Sequence, residues 1–293
     1  MPAAASRSDE QPEPPKLVPG VPSALSPLVR RVIAPNPGLM TGPGTNTYLV
    51  GIDEVAVVDP GPAVDSHIDA IIGASMRDRV RWVLLTHTHP DHWPAAQRIR
   101  EETGAVLAGF GAKIPKADNF DLKLDLVLAD GATIEGTEFR LEALHTPGHA
   151  PNHVCFFLEE ERMLFTGDHV LNGTTTVVNP QRGGDMIQYL ASLDRLRKIK
   201  RVSRIAPGHG DVITDPKACL DEYVAHRRMR ERQILKRLDQ GPAKIAGIVK
   251  ELYPDLPEGL VEMANRQVQA HLVKLKAEGK VEGSAFKGSW SKA

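Results

Sequence analysis

A chain of 293 residues, 41% hydrophobic and 25% charged, can bury one large core, or a medium core beside a small second domain. Its formal net charge of −1 excludes a strongly basic or acidic protein, and no apolar run approaches the roughly 18 residues of a membrane span. The opening MPAAASRSDEQPEPPK lacks the apolar middle of a secretory signal, so a cytoplasmic protein with no membrane partner is expected. Cys155 and Cys219 stand far apart, which argues against a disulfide framework or a thiolate metal site.

In chain order, residues 1–20 are rich in Pro, Ala, Ser and charge and read as a disordered tail, with order beginning near 29–33. NTYLVG (46–51) and EVAVVDPG (54–61) read as strands, 67–74 as a helix, and 80–86 as another buried strand. That last strand runs into LTHTHPDHWPA. Side chains of an extended chain alternate faces, so His87 and His89 leave the strand end on one side and can share an ion. Pro90 then bends the chain, Asp91 and His92 can aim at a second point, and a helix is expected from Trp93. A metal-free turn with Asp91 as helix cap is the competing reading, but it would gather several costly polar groups with no partner.

Further on, AVLAGF reads as a strand, LADGATI and EGTEF as antiparallel turns, VCFFLEEERMLFTGDHV as a hairpin turning at 159–162, and 185–200 as a helix. VSRIAPGHG is a strand ending in a histidine. From Leu220 three helical patterns follow, the last with apolar residues at 260, 264, 268, 272 and 275, and KVEGSAFKGSW reads as a small hairpin. The expected division is therefore 21–215 for the main domain and 216–293 for a helical, winged-helix-like appendage. Residues 217–293 carry 15 Lys+Arg against 10 Asp+Glu, a balance of +5 that leaves −6 for the remainder.

Three more strand ends supply metal ligands, each with an adjoining glycine that permits close backbone approach. They are His149 in HTPGHAPNH, Asp168 in FTGDHV and His209 in APGHGD. His87, His89 and His149 can hold one ion, Asp91, His92 and His209 another, and Asp168 can bridge both. Nitrogen and oxygen ligands suit two zinc ions first, with manganese or iron as alternatives. Such a pair lowers the pKa of a shared water so that a hydroxide nucleophile exists near neutral pH, and Asp91 can orient it. Asp91 and Asp168 are thus the expected catalytic carboxylates. Asp59 reads equally as a carboxylate supporting a ligand histidine or as a turn residue before Pro60. His145, His153 and His169 lie beside the motifs without ligand positions, and His226 and His271 read as structural.

THTHPDH, TPGH, TGD and PGHG, in this order, resemble the signature motifs of the metallo-beta-lactamase fold superfamily. GTNTYLVG, GTTT after the aspartate and the Arg-rich helical end resemble most the group containing beta-lactamase-like protein 2. The resemblance implies an α/β fold, an αββα sandwich with metals at one edge of its sheets, a winged-helix-like end and hydrolytic activity. It implies single-stranded RNA as the first substrate, in line with the basic end of the chain. A thioesterase or lactonase of glyoxalase II type is the alternative, with the C-terminal helices as lid or homodimer surface. A non-catalytic nucleic-acid-binding protein with structural metals is the third reading. Arg227, Arg228, Arg230 and Arg232 should face the metal cleft if the substrate is a polyanion.

Overall fold

Short Val- and Leu-rich runs bounded by Gly, Pro and Asp are too brief for buried helices and pair as strands. The computed structural model describes residues 17–75, 79–111, 115–283 and 288–293. Its first sheet takes strands in chain order: β1 (Ser23–Ala24), β2 (Val29–Ile33), β3 (Asn46–Val50), β4 (Glu54–Val58), β5 (Arg79–Leu84), β6 (Val106–Phe110) and β7 (Leu126–Leu128). β1 to β4 pair antiparallel and β4 to β7 parallel. Parallel neighbours need crossovers, which α1 (Asp65–Ala74) supplies between β4 and β5 and α2 (Ala96–Thr103) between β5 and β6.

The second sheet has the order β12-β11-β10-β9-β8, built from β8 (Thr133–Glu135), β9 (Arg140–His145), β10 (Val154–Leu158), β11 (Met163–Gly167) and β12 (Arg204–Pro207). Only β11 and β12 run parallel in it, joined through α3 (Met186–Arg197), whose N-terminus Asp185 caps by accepting from Ile187 N and Gln188 N. The chain then forms α4 (Pro216–Leu238), β13 (Ala243–Lys244), α5 (Ile245–Leu252), α6 (Val261–Ala277), β14 (Val281–Glu282) and β15 (Ser289–Lys292). β14 and β15 pair antiparallel as the expected hairpin, and β15 also pairs with β13.

Side-chain alternation makes each inner strand serve two cores. Tyr48 and Phe156 point between the sheets, whereas Leu49 packs towards α1 and α2 and Phe157 towards α3 and α4. The layers are therefore helix, sheet, sheet, helix, the αββα sandwich expected from the motifs. A separate core holds the C-terminal helices, and α4 belongs to both. Leu220, Tyr223 and Val224 pack beneath the second sheet, and Ile234 and Leu238 pack with α5 and α6. Among the described residues, no helix is long and apolar enough to cross a membrane.

Two local expectations are corrected. Residues 1–16 of the expected tail lie outside the described residues, but Gly20 N already donates to Ile33 O and β1 pairs with β2, so order precedes Val29. The helix after the histidine cluster begins at Ala96, not Trp93. Gly61 N donates to His92 O and Ala95 N donates to Gly61 O, so these backbone groups bind the loop after β4 before helix can start.

Candidate metal centre

β4, β5, β9, β11 and β12 all end at the same edge of the sandwich, and the loops that follow them carry every ligand expected from the sequence. The structure gathers these residues into two groups. His87, His89, His149 and Asp168 form one, Asp91, His92 and His209 the other, with ligand atoms in each within 4.8 Å of one another. In the first group His87 Nε2 and His149 Nε2 lie 3.0 and 2.9 Å from His89 Nδ1, and Asp168 Oδ2 is 3.7 Å from His149 Nε2. In the second, His209 Nε2 is 3.2 Å from Asp91 Oδ2 and 3.3 Å from Asp168 Oδ1, and His92 Nε2 is 3.5 Å from both carboxylates. Asp168 thus offers one oxygen to each group.

Four of the five converging imidazoles, all but His89, have a partner on the far side of the ring, the arrangement typical of metal-ligating imidazoles. His149 Nδ1 donates to Val177 O at 2.6 Å and His209 Nδ1 to Gly44 O at 3.3 Å. His92 Nδ1 donates to Asp59 Oδ2 at 3.0 Å, and His87 Nδ1 lies 3.0 Å from Thr86 Oγ1. His92 Nε2 and Asp168 Oδ1 are buried and make no hydrogen bond, which leaves both able to meet a ligand. The residues therefore fit two divalent cations, one facing three imidazoles and a carboxylate oxygen, the other two imidazoles and two carboxylates.

The two groups differ in charge. Burial, with the neighbouring histidines adding to it, pushes His87 well below the usual imidazole range, and burial lowers His89 and His149 as well. Those three rings are neutral. Burial also opposes charge on His92 and His209, but Asp91 and Asp168 outweigh it, raising His92 well above its ordinary value and His209 to about 9. Without ions, protons on these two rings balance the carboxylates.

Asp59 is the supporting carboxylate of the two readings left open. Its Oδ1 accepts from Thr86 N at 2.8 Å, its Oδ2 from Thr86 Oγ1 at 2.7 Å and from His92, and its φ of 48° turns the chain at the strand end. Glycine is required where loops cross: a Cβ on Gly208 would stand 2.7 Å from Asp168 Oδ1 and 2.9 Å from His92 Cε1. His153 and His169 are fully buried behind the ligands, and His145 stacks on Phe110 with ring centroids 3.7 Å apart. Phe120 meets Trp93 edge-on. His271 is buried against Glu231 in the appendage.

Several supporting residues escape sequence reasoning. Asn46 Nδ2 donates to Pro207 O and Gly210 O, and Tyr48 OH to Pro207 O, which explains why GTNTY accompanies PGHG. Asp118, fully buried, accepts from Thr88 Oγ1 and Arg182 and lies 3.9 Å from His89 Nε2. No spacing rule could find it, since it stands in a separate loop. Of the four arginines expected at the cleft, Arg227 is buried, donating to Thr176 O at 2.6 Å, and Arg230 lies over Tyr253. Arg228 and Arg232 are not buried, and none of the four lines the cavities at the ligands.

Residues 40–209 match the metallo-beta-lactamase superfamily and residues 245–290 the beta-lactamase associated winged helix domain. A beta-lactamase-like protein 2 homolog of Caenorhabditis elegans is 33% identical over 267 residues, covering 89% of this chain and 88% of its own. An atrochrysone carboxyl ACP thioesterase of Aspergillus chevalieri is 34% identical over 270 residues, covering 88% and 83%. Among solved structures, a metallo-beta-lactamase family protein from Thermus thermophilus superposes with a TM-score of 0.76 at 26% identity, covering 92% of this chain and 100% of that one. A beta-lactamase domain protein from Burkholderia ambifaria has the same fold, with a TM-score of 0.80 at 21% identity over 94% and 95% of the two chains.

Proposed function

The chain belongs to the metallo-beta-lactamase superfamily, and from that premise we propose that this hydrolase cleaves a carboxylic thioester or ester at two divalent ions, zinc in the first instance. The observation that carries the metal reading is the convergence of both ligand groups on the two oxygens of Asp168. The ions, when bound, supply Lewis acidity and acidify water. His87, His89, His149 and Asp168 would hold one ion, and Asp91, His92, His209 and Asp168 the other. Asp91 lines the cavity above the ligands, where a carboxylate oxygen can orient the attacking water. Asp59 holds His92 in register, and the Asn46 and Tyr48 bonds to Pro207 O hold the loop that carries His209. In the reaction the hydroxyl of water joins the acyl carbon, the C–S or C–O bond breaks, and the water's proton goes to the leaving atom.

Charge at the site favours a carboxylic ester over RNA. Phosphodiester substrates are held by cations along the backbone. Among the described residues, Arg182 is the one Lys or Arg lining the two cavities at the ligands, and it donates to Asp118. The thioesterase relative supports the acyl reading. The test sets thioesters and lactones beside labelled single-stranded RNA, each with and without a chelator. Chelator-sensitive thioester cleavage is expected; RNA cleavage with no ester or thioester turnover overturns the proposal.

A further inference from the structure

A cavity of about 220 Å³ opens beside the ligands, with His149 and Asp168 at its inner end. Its outer wall comes from the C-terminal appendage, through Tyr253, Leu256, Leu260 and Met263. A hairpin bridged at Gly38 and Gly42 holds Leu39 and Met40 over it, 77% and 51% exposed although both are large and apolar. Large apolar side chains left in water at the rim of an apolar cavity mark a surface that a ligand covers.

The wall is fastened to the ligands. Gln267 Oε1 on α6 accepts from Val178 N at 2.9 Å, Arg227 on α4 donates to Thr176 O, and the carbonyl of Val177, between these two, accepts from His149. Tyr223 OH, also on α4, accepts from Leu171 N at 2.8 Å. A second cavity of about 260 Å³ shares Met40, His149, Asp168 and Val177 with the first, but its remaining lining includes Thr41, Asn179 and Arg182. Two lobes therefore meet at the ligands, one walled by the appendage and one walled by the ligand loops and Arg182.

We propose that the winged-helix appendage is the acyl-selecting wall of the metal site: the apolar lobe beneath it takes the acyl group of the thioester, and the leaving group departs along the lobe that holds Arg182. This rests on the thioester reading above. A cavity of roughly 150 Å³ accepts one benzene ring, so by proportion the apolar lobe suits an acyl group of about nine carbons.

The experiment measures kcat/KM on thioesters of one small thiol with acetyl to dodecanoyl chains, and reads the octanoyl-to-acetyl ratio within each protein so that losses of fold or metal cancel. Each buried methylene should raise kcat/KM about fourfold, so the wild-type ratio should reach at least on the order of 100. Met263→Trp should lower that ratio about tenfold or more, and Met263→Ala should move the best chain to greater length. Arg228→Ala, on α4 away from both cavities, should leave the ratio unchanged. A wild-type ratio near one, or a ratio that Met263→Trp does not alter, overturns the acyl wall while chelator-sensitive thioester cleavage keeps the hydrolase reading. Absence of thioester cleavage overturns the acyl wall, and absence of ester and lactone cleavage as well overturns the hydrolase reading.

Discussion

Two clusters of buried ionisable groups, the metal pole and the junction of α4 with α6, carry similar residue types and differ in where their polar atoms point. At the junction the charges close on each other. Glu231 Oε1 lies 2.9 Å from Lys274 Nζ and 3.4 Å from His271 Nδ1, and Lys274 also reaches Glu278. At the metal pole the histidines direct their outer nitrogens to Val177 O, Gly44 O and Asp59, and turn the remaining donors towards one another. Burial and charge are common to both clusters. Convergence of three or more imidazole nitrogens and carboxylate oxygens within 4.8 Å of one another distinguishes the functional one.

The largest expected effect is that of Asp168→Ala, which removes the carboxylate common to both ligand groups. It should cut turnover on the order of a thousandfold, above the roughly 10–100-fold that partners of ligands cost, and metal analysis should show loss of bound ion. Retention of full activity and metal content would break the comparison at its root. Gly208→Ala changes no ligand, yet its methyl group must push Asp168 and His92 apart. A displacement of about 1 Å at a reacting centre costs on the order of 100-fold, so activity should fall by that factor while the melting temperature moves little.

Asp59→Asn leaves every ligand in place but weakens the acceptor that fixes His92 and Thr86. Metal affinity should drop about tenfold, read by competition with a chromophoric chelator. The smallest effect is at the junction, where Glu231→Gln should leave turnover within about twofold and lower the melting temperature by about 2–4 °C at neutral pH. Burial opposes the charge on Glu231, but hydrogen bonds with His271 and Lys274 outweigh it and hold its pKa below the ordinary value. Its contribution is thus present above the unfolded-state pKa of about 4.3 and lost as pH falls through the lower folded value. Melting curves of both proteins should therefore converge in acid; a gap that widens there would contradict the pairing.

Much of the site is legible along the chain because its ligands stand at strand ends, three of them, His149, Asp168 and His209, beside glycines. Period-two alternation places His87 and His89 on one side, and THTHPDH, TPGH, TGD and PGHG each survive as a local signal. Supporting residues are less visible for a physical reason: Asp118 and Arg182 are 64 positions apart and meet only once the sheets pack. The Arg-rich stretch of α4 shows that composition does not fix orientation. Its composition suggests a polyanion, yet Arg227 turns inwards to a loop carbonyl and Arg230 to a tyrosine ring.

Sequence alone determined the candidate metal ligands, the strand ends that present them and the sandwich implied by the motifs, since each is written in local spacing and residue type. Tertiary structure decided that Asp59 supports His92, that Asn46 and Tyr48 hold the loop of His209, and that the appendage closes an apolar lobe beside Asp168. Those contacts join segments far apart in the chain. Their geometry exists only after the apolar faces of two sheets and a helical end have been buried against one another.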